Sequence, residues 1–486
     1  MSLTAFSERL RATSNIARFG PTPLDPNLPL VLAVGNQLLI SRQSLPEKYA
    51  VGWLSEHGYR PKLLTTLLNG LPNWKAVPDV GIWEIEPRPG EDVFSAVQQL
   101  RLVPGVDPSQ AVPVSNVSPN HVLVPASFAH SCPFGPPAPL PGTPPPIPPP
   151  AATQHRVTVI DSGYQWNPAW GPSPLANRLS GPSDIQAERL PKLGELPPNG
   201  IGTWKNGTPD VGSWVGTSAS ESPETTAGGA LLALAGHANF IAGVIAQKSP
   251  AALITVRNHN GFDPSTDDFP TEATVARSLC LAGLHDRSQV VNVGFAFCAY
   301  DSVNADQSQP QISNVWESAL EYVDETAGSP VIVAPAGNQG SDAAPLFPAA
   351  LWTRAGTTPT FANVVGVASI DARPAHPRSS FSNYGDWVTC SAIGSKVHST
   401  FLHVDMPLED STTPNAVDFT HNGWAIWNGT SFATPKVVAG ICNALTAHPA
   451  PRDATAAVLG VPFPLPAPTF AAAAVGDGLG VKLPNL

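Results

Sequence analysis

The sequence has few charged residues, and its basic residues do not cluster. Asp, Glu, Lys and Arg make up 13% of the 486 residues, about half of the roughly 25% typical of soluble proteins. There are 26 Lys and Arg against 37 Asp and Glu, a formal net charge of −11. No Lys/Arg-rich run could follow a phosphate backbone, so nucleic acid is not expected as a partner.

Long apolar runs and an even set of cysteines are also missing. No stretch approaches the about 20 apolar residues of a membrane span, so no membrane association is expected. Residues 1–20 mix charged with apolar side chains and lack the apolar core of a secretory signal, which predicts a cytoplasmic protein and leaves secretion open for a trimmed sequence. The five cysteines are widely spaced, so we expect small buried side chains rather than disulfides or a zinc site.

Proline, by contrast, is abundant, with 56 residues, and it divides the chain. Residues 131–150 hold eleven prolines, which favours an extended, semi-rigid spacer. The expected divisions are an N-terminal extension (1–27), a small domain (28–126), the Pro-rich linker (127–153), a large domain (154–446) with a loop insertion (187–229), and an Ala/Pro-rich C-terminal segment (447–486).

Apolar patterning differs between the two domains. In the small domain, short runs such as "LVLAVGNQLLI", read as strand and turn, alternate with helical segments. The clearest helix follows Asp92, with Val93, Ala96, Val97 and Leu100 on one face, which predicts an α+β domain. In the large domain, runs such as "QVVNVGFAF" and "ANVVGVASI" are continuous, as in parallel strands covered on both faces. The large domain is therefore predicted to be α/β.

Four polar side chains stand at the ends of elements in the large domain. Asp161 follows the run "RVTVI" and Asn338 ends "SPVIVAPAGN", so both lie at the carboxyl edge of the predicted sheet. His237 heads one helix, and Ser431 heads another, with Pro435 expected in its first turn. Each alone has an ordinary structural explanation: a turn residue for Asp161 and Asn338, a buried core histidine, and a helix cap.

A second Gly-Thr-Ser tripeptide competes with the one at Ser431. Its serine, Ser218, lies in a Gly/Ser/Thr-rich loop between Asp161 and His237. No apolar periodicity follows it, so no helix N-terminus is expected there. We therefore expect Ser218 to be dispensable.

The chain order of the four side chains is the most specific signal. Asp161, His237 and Ser431 follow one known order of a catalytic triad, with Asn338 between the last two. The blocks "DSGYQWNP", "FSNYGDWVTCSAIG" and "NGTSFATP" occur in the same succession. Over residues 154–445 the chain resembles the subtilisin-like serine proteases, the subtilases.

The resemblance implies a three-layer fold with a mostly parallel sheet and hydrolysis of peptide bonds through an acyl-enzyme. Asp161, His237 and Ser431 would form the triad, and Asn338 the oxyanion hole. The strand that pairs with the substrate backbone would be "VVNVGFAF". The residues expected to bind substrate are Gly294, Phe295, Ala296, Ala336 and Gly337.

Two blocks depart from the pattern common in the family. The sequence "HANFIAG" stands where subtilases usually have His-Gly-Thr-His-Val-Ala-Gly, so the base His237 is kept and the helix contacts change. Gly294-Phe295-Ala296 stands where Ser-Leu-Gly is common. A ring at Phe295 is therefore expected to narrow the pocket for substrate side chains.

The small domain resembles, in the order of its elements, the ferredoxin-like propeptide of subtilases. It is therefore expected to act either as an intramolecular inhibitor, released between Ala126 and Pro150, or as a permanent docking domain. No cofactor and no metal ligand is predicted. Calcium stabilises many subtilases, but the only candidate loop here is the weak "DPSTDD" at Asp263–Asp268.

Three other functions compete with a subtilase protease. The altered helix after His237 leaves open a catalytically inactive binding or scaffold protein, although all four catalytic side chains are kept. The histidine base and Asn338 argue against the sedolisins. The absence of Gly-x-Ser-x-Gly around Ser431 argues against an α/β-hydrolase esterase.

Overall fold

The structure of the chain, a computed structural model, covers most of both expected domains. The residues described are 16–19, 31–42, 44–73, 75, 77–101, 117–125, 135–162, 164, 174–175, 178–179, 229–231, 235–258, 270–298, 314–326, 328–342, 345–352, 363–385, 387–408, 417–419, 423–460 and 481–483. Ser218, residues 187–228 of the insertion that contains it, and the candidate calcium loop Asp263–Asp268 lie outside these residues.

After one additional strand at its start, the small domain has the β-α-β-β-α-β order of ferredoxin-like folds. Its elements are β1 (Ile16–Phe19), β2 (Val31–Ser41), α1 (Ser44–Glu56), β3 (Lys62–Thr66), β4 (Val80–Glu84), α2 (Val93–Arg101) and β5 (Val117–His121). β2 pairs antiparallel with β1, β4 and β5, and β4 pairs with β3. The α+β prediction is confirmed, and the run predicted as strand and turn is one strand of 11 residues.

In helix α2, the local sequence determines both where the helix begins and which face is buried. The Asp92 carboxylate accepts the Ser95 N–H at 2.9 Å, so it satisfies one of the unpaired donors of the first turn. Val93 and Val97 then lie in a buried apolar cluster with Leu54 of α1. The apolar face of α2 that the sequence predicts is therefore the face buried in the core of the small domain.

The large domain alternates strands and helices along the chain. Its elements, and the short strands before it, are β6 (Val124–Pro125), β7 (Ala138–Pro139), β8 (His155–Asp161), α3 (His237–Lys248), β9 (Ala252–Asn258), α4 (Glu272–Leu284), β10 (Val290–Val293), β11 (Phe295–Cys298), α5 (Asn314–Thr326), β12 (Val331–Pro335), β13 (Leu346–Phe347), a 3-10 helix (Ala349–Trp352), β14 (Val364–Ile370), β15 (Cys390–Ile393), β16 (Val397–Thr400), β17 (Asp405–Met406), β18 (Val417–Asp418), β19 (Trp424–Trp427), α6 (Thr430–Ala444), α7 (Pro451–Leu459) and β20 (Val481–Leu483).

Seven parallel strands form the central sheet, in the order β20-β15-β14-β12-β10-β8-β9. Successive side chains of a strand point to opposite faces. Val157 and Val159 of β8 therefore cluster with Phe240 of α3 on one face, whereas Ile160 clusters with Leu279 of α4 on the other. The predicted three-layer α/β fold is confirmed. Strand β20, from the Ala/Pro-rich C-terminal segment, completes one edge of the sheet.

The small domain lies against helices α4 and α5. The face of its sheet opposite α1 and α2 carries Leu39 and Ile82, which share one apolar cluster with Trp316 of α5. Two hydrogen bonds also cross this interface. Arg277 donates to the Leu67 carbonyl at 2.6 Å, and the Tyr322 hydroxyl donates to the Pro72 carbonyl at 2.8 Å. One apolar core therefore extends across both domains.

Several residues of the Pro-rich segment contact the large domain. Strand β7 pairs antiparallel with β19, and the Leu140 N–H donates to the Trp424 carbonyl at 3.2 Å. Farther along, the buried Arg178 donates to the Pro148 carbonyl at 3.3 Å. Proline favours the extended conformation that such edge pairing needs.

Cys280, Cys390 and Cys442 are buried and free. Burial raises the pKa of the Cys280 thiol to about 12 and that of Cys442 to about 11. These three cysteines are small buried side chains, as expected from their spacing. In the part of the chain that the structure describes, no helix is long and apolar enough to cross a membrane.

Candidate active site

Asp161 ends β8 at the carboxyl edge of the sheet, where open α/β folds collect functional groups. Its side chain is buried. The Oδ1 atom accepts the Ser162 N–H at 2.7 Å and the Ser162 hydroxyl at 3.1 Å. These bonds fix the carboxylate in one orientation.

His237 is the first residue of α3, as predicted, and it faces Asp161. The preceding Gly236 has φ 76°, and a Cβ there would lie 2.6 Å from Cε2 of Phe401, so only glycine fits this turn. The imidazole Nδ1 is 2.9 Å from each carboxylate oxygen of Asp161. A proton on Nδ1 satisfies the carboxylate, and Nε2 is left as the acceptor.

Ser431 is the second residue of α6, which begins beside the imidazole. The neighbouring Phe432 ring is 5.4 Å from the His237 ring, measured between centroids. Ser431 Oγ and His237 Nε2 are both buried, and neither has a hydrogen-bond partner among the residues that the structure describes. Such a nucleophile–base bond is often long without substrate and tightens when substrate binds.

The proline after Ser431 is deeper in the helix than its sequence suggested. Pro435 was predicted in the first turn, but α6 begins at Thr430 and Pro435 is its sixth residue. The Ser431 carbonyl therefore lacks the i+4 N–H that another residue would supply. The prediction that Pro435 lies in the first turn is wrong, because the helix starts before Ser431.

Asn338 lies in the loop after β12, and Thr430 orients its side chain. The Asn338 Oδ1 accepts the Thr430 N–H at 2.8 Å and the Thr430 hydroxyl at 3.0 Å. The same hydroxyl accepts the Gly337 N–H at 3.1 Å. Because the amide oxygen is held by Thr430, the NH2 group is the end turned away from it. Thr430, not singled out from the sequence, joins the Asn338 loop to the Ser431 helix.

An aromatic cluster lies behind His237 and was also missed by sequence reasoning. The Trp427 ring meets His237 edge-on, with centroids 6.0 Å apart, and it packs against Phe240 and Phe432. Its indole N–H donates to the Gly135 carbonyl at 2.8 Å. Spacing along the chain gives no signal for this cluster, because β19, α3 and α6 are far apart in sequence.

The strand expected to bind substrate is already paired with another segment of the chain. In β11, Phe295 is opposite Pro125 and Ala296 is opposite Val124, in antiparallel register with β6. The Phe295 ring, expected to narrow the substrate pocket, belongs to the large apolar core. Ala296 instead forms a separate buried pair with Leu346.

Gly294, Ala336 and Gly337 border the site through their backbones. A Cβ on Gly294 would come within 2.7 Å of Asp161 Cγ, so the carboxylate occupies the space of a side chain at position 294. Ala336 and Gly337 are buried in the loop that leads to Asn338. Gly294 therefore lies against Asp161, and Gly337 is bonded to Thr430. The other two residues expected to bind substrate, Phe295 and Ala296, are part of β11.

Among the described residues, no metal-binding cluster is found at this site or elsewhere. No group of three His, Cys, Asp or Glu side chains is arranged to hold a metal ion among the described residues. What the arrangement supplies is an acceptor nitrogen, a buried hydroxyl and an oriented amide. That set suits acyl transfer from a serine.

Comparison with known proteins identifies the family of this chain. The sequence model of the subtilase family, Peptidase S8, matches residues 153–459. None of the curated proteins matches the chain. Fervidolysin from Fervidobacterium pennivorans, a keratinolytic enzyme related to subtilisin, superposes with a TM-score of 0.53 at 16% identity, over 93% of this chain and 60% of that one.

The chain thus spans 60% of the length of fervidolysin. The epidermin leader peptide processing serine protease of Staphylococcus aureus superposes with a TM-score of 0.46 at 15% identity, over 86% of this chain and 90% of that one. The family match covers more than half of the sequence and includes every residue of the candidate site. The chain belongs to the subtilase family of serine peptidases.

Proposed function

We propose that this chain is a serine endopeptidase in which Asp161, His237 and Ser431 act as the catalytic triad. The observation that carries the proposal is the hydrogen bonding of the His237 ring and of the Ser431 hydroxyl. Its Nδ1 is bonded to the Asp161 carboxylate at 2.9 Å, while its Nε2 and Ser431 Oγ are buried and have no partner among the described residues. A buried hydroxyl and an oriented, unpaired base are the two groups that nucleophilic catalysis by a serine needs.

In the proposed mechanism, Ser431 Oγ attacks the carbonyl carbon of the substrate, and His237 Nε2 takes its proton. Asp161 holds the imidazole in the required tautomer and stabilises the imidazolium. When the tetrahedral intermediate collapses, the C–N bond breaks and His237 returns the proton to the leaving amine. Water then hydrolyses the acyl-enzyme by the same proton transfers.

The oxyanion would be bound by two N–H donors. One is the Asn338 amide, whose oxygen is held by Thr430. The other is the Ser431 backbone N–H, one of the unpaired donors in the first turn of α6. A single side-chain donor of this kind is worth about 2.7–4 kcal/mol of transition-state stabilisation, a value that comes from this family.

Labelling with a fluorophosphonate tests the nucleophile. The wild type should be labelled at Ser431, and Ser431→Ala should not be labelled. Ser218→Ala is the matched control, because it alters the competing Gly-Thr-Ser, and it should react like the wild type. A folded wild type that stays unlabelled after removal of its small domain would contradict the protease function and favour the inactive scaffold.

We also propose that the small domain is an intramolecular inhibitor. Its last described strand, β6, pairs antiparallel with β11, the strand expected to receive substrate, and strand addition of this kind is a common mode of peptide recognition. A buried contact between His121 and Glu272, 2.8 Å between Nδ1 and Oε2, supports the same docking. A substrate could reach β11 only after β6 leaves.

The cleavage that would release this inhibitor is proposed between Pro125 and Gly135. Pro125 is paired on β11, and Gly135 accepts the Trp427 indole N–H, so the described residues on both sides of this interval are beside the proposed catalytic residues. The intact mass of the wild type should show two fragments cut in this interval, and Ser431→Ala should stay whole. Equal, unprocessed masses would favour a permanent docking domain.

A further inference from the structure

A pair of buried apolar residues lies beside the proposed active site, separate from the large cores. Ala296 of β11 and Leu346 of β13 form this pair, with 1% and 4% of their surfaces exposed. The two strands are neighbours, since Leu346 is opposite Cys298 in antiparallel register. The pair is therefore attached to the strand that carries β6.

Leu346 also touches the loop that leads to Asn338. A Cβ added to Gly337 would collide with Leu346 Cδ1, and it would lie 2.6 Å from both Asn383 Nδ2 and Gln339 Oε1. The leucine methyl group therefore lies directly on the backbone of Gly337. The Gly337 N–H in turn donates to Thr430, next to Ser431.

The two segments that Leu346 contacts, at Ala296 and at Gly337, follow neighbouring strands of the central sheet. In the central sheet, Asn292 of β10 is paired with Val333 of β12, so the chain leaving β10 toward Ala296 runs beside the chain leaving β12 toward Gly337. Crevices at the carboxyl edge of such sheets are where ligands bind. Ala296 and Gly337 carry a methyl group and no side chain, respectively, and Leu346 lies against both of them.

The substrate side chain that meets this crevice follows from the pairing of β6. Val124 and Pro125 are antiparallel to β11, with Val124 opposite Ala296 and Pro125 opposite Phe295. A peptide in this register continues past position 295 toward Ser431 and Asn338. The residue whose carbonyl reaches those two groups would place its side chain between the Ala296 and Gly337 segments, against Leu346.

We propose that Leu346 restricts the residue on the acyl side of the scissile bond to glycine, alanine or serine, a specificity that rests on the proposed protease function. A larger side chain would have to displace a leucine that is buried against two backbone segments. Leu346 is therefore a specificity-determining residue, and substrates are peptides with a small residue before the cleaved bond.

A pair of peptides tests this inference with the full-length chain, incubated until its mass is constant. The peptides are identical except for alanine or phenylalanine before the scissile bond. For the wild type, kcat/KM should favour the alanine peptide by at least about tenfold, the discrimination that a closed apolar pocket gives. Leu346→Gly should raise kcat/KM for the phenylalanine peptide by at least about tenfold and change it little for the alanine peptide.

Leu346→Ala is the second variant. It should also raise kcat/KM for the phenylalanine peptide relative to the alanine peptide, but by less than Leu346→Gly does. The matched control is Leu459→Ala, a buried leucine of α7 that belongs to another apolar cluster, and it should leave the ratio unchanged. A wild type that prefers phenylalanine, or folded and fluorophosphonate-labelled Leu346 variants with the wild-type ratio, would overturn the inference alone. A folded wild type that is neither labelled nor active even after removal of its small domain would overturn the proposed function together with it.

Discussion

Gly294 is expected to be indispensable for activity, although serine is common at this place in subtilases. A Cβ at position 294 would lie 2.7 Å from Asp161 Cγ, 3.3 Å from the Ile160 carbonyl oxygen, and closer still to Asp161 Oδ2. Carbon atoms pack at about 3.5–4.0 Å, so the Asp161 carboxylate would have to retreat by about 0.8 Å or more.

That retreat would break the contact that orients the base. Both Asp161 oxygens are now 2.9 Å from His237 Nδ1, and N–H···O bonds weaken beyond about 3.2 Å. Misplacement of a catalytic group by about 1 Å lowers the rate about 10²-fold, and loss of tautomer control lowers kcat by about 10⁴-fold. We therefore expect Gly294→Ser and Gly294→Ala to lower kcat by about 10²–10⁴-fold.

Kinetics with a cleavable peptide would measure the effect. The fall should be in kcat rather than in KM, because the substitution displaces Asp161 and leaves the peptide-binding backbone of β11 in place. Gly52→Ala in α1 is the control, because a Cβ there meets no heavy atom within 4 Å, and it should keep wild-type kinetics. Thermal unfolding of each variant would separate catalytic loss from unfolding.

A folded Gly294→Ser with kcat within about threefold of the wild type would refute this reasoning. It would mean that the Asp161 carboxylate can reorient and still keep its hydrogen bond to His237. If the serine variant does not fold, Gly294→Ala puts the same Cβ against Asp161 with one atom less, and the same criterion applies to it.

Three further predictions concern stability. Burial, and then the charge of Lys248, lower the pKa of Lys436 to about 8, so the charged amine destabilises the fold. Lys436→Met should therefore raise the free energy of unfolding at pH 7 by roughly 2–3 kcal/mol. In calorimetry, the difference in stability between this variant and the wild type should disappear as the pH rises from about 8 to 10.5. A hydrogen bond from Arg88 is the main cause that lowers the pKa of Glu91 to about 2, so the melting-temperature advantage of the wild type over Glu91→Gln should hold above about pH 4.5 and vanish as the pH falls toward 2. His121→Ala, made in Ser431→Ala so that the chain stays uncut, should lower the free energy of unfolding in urea by about 1–3 kcal/mol, because it removes a hydrogen-bond partner of the buried Glu272. An unchanged midpoint would contradict that role.

Local sequence patterns were enough to predict the framework of the site. Continuous apolar runs predicted the parallel strands, and chain order selected Asp161, His237, Asn338 and Ser431 over the competing Ser218. The structure brings Asp161 into contact with His237 and starts α6 beside the imidazole. These features follow from the ends of strands and helices, which periodicity locates well.

Contacts between segments distant in sequence could not be predicted in this way. Leu346 lies in a strand of two residues, too short to produce a pattern, and its partner Ala296 is 50 positions away. Phe295 has the size to narrow a pocket, but its ring is buried in the core. Which way a side chain points depends on how β11 meets its neighbours, and composition carries no information about that.

The pairing of β6 with β11 has a consequence for how enzyme activity would depend on concentration. While the chain is uncut, β6 is presented to β11 intramolecularly, at an effective concentration in the millimolar range for a short connection. After a cut between Pro125 and Gly135, the same contacts would hold two separate polypeptides, and their dissociation would follow mass action. A processed preparation should then gain specific activity on dilution, because dilution and not the cut alone would empty β11.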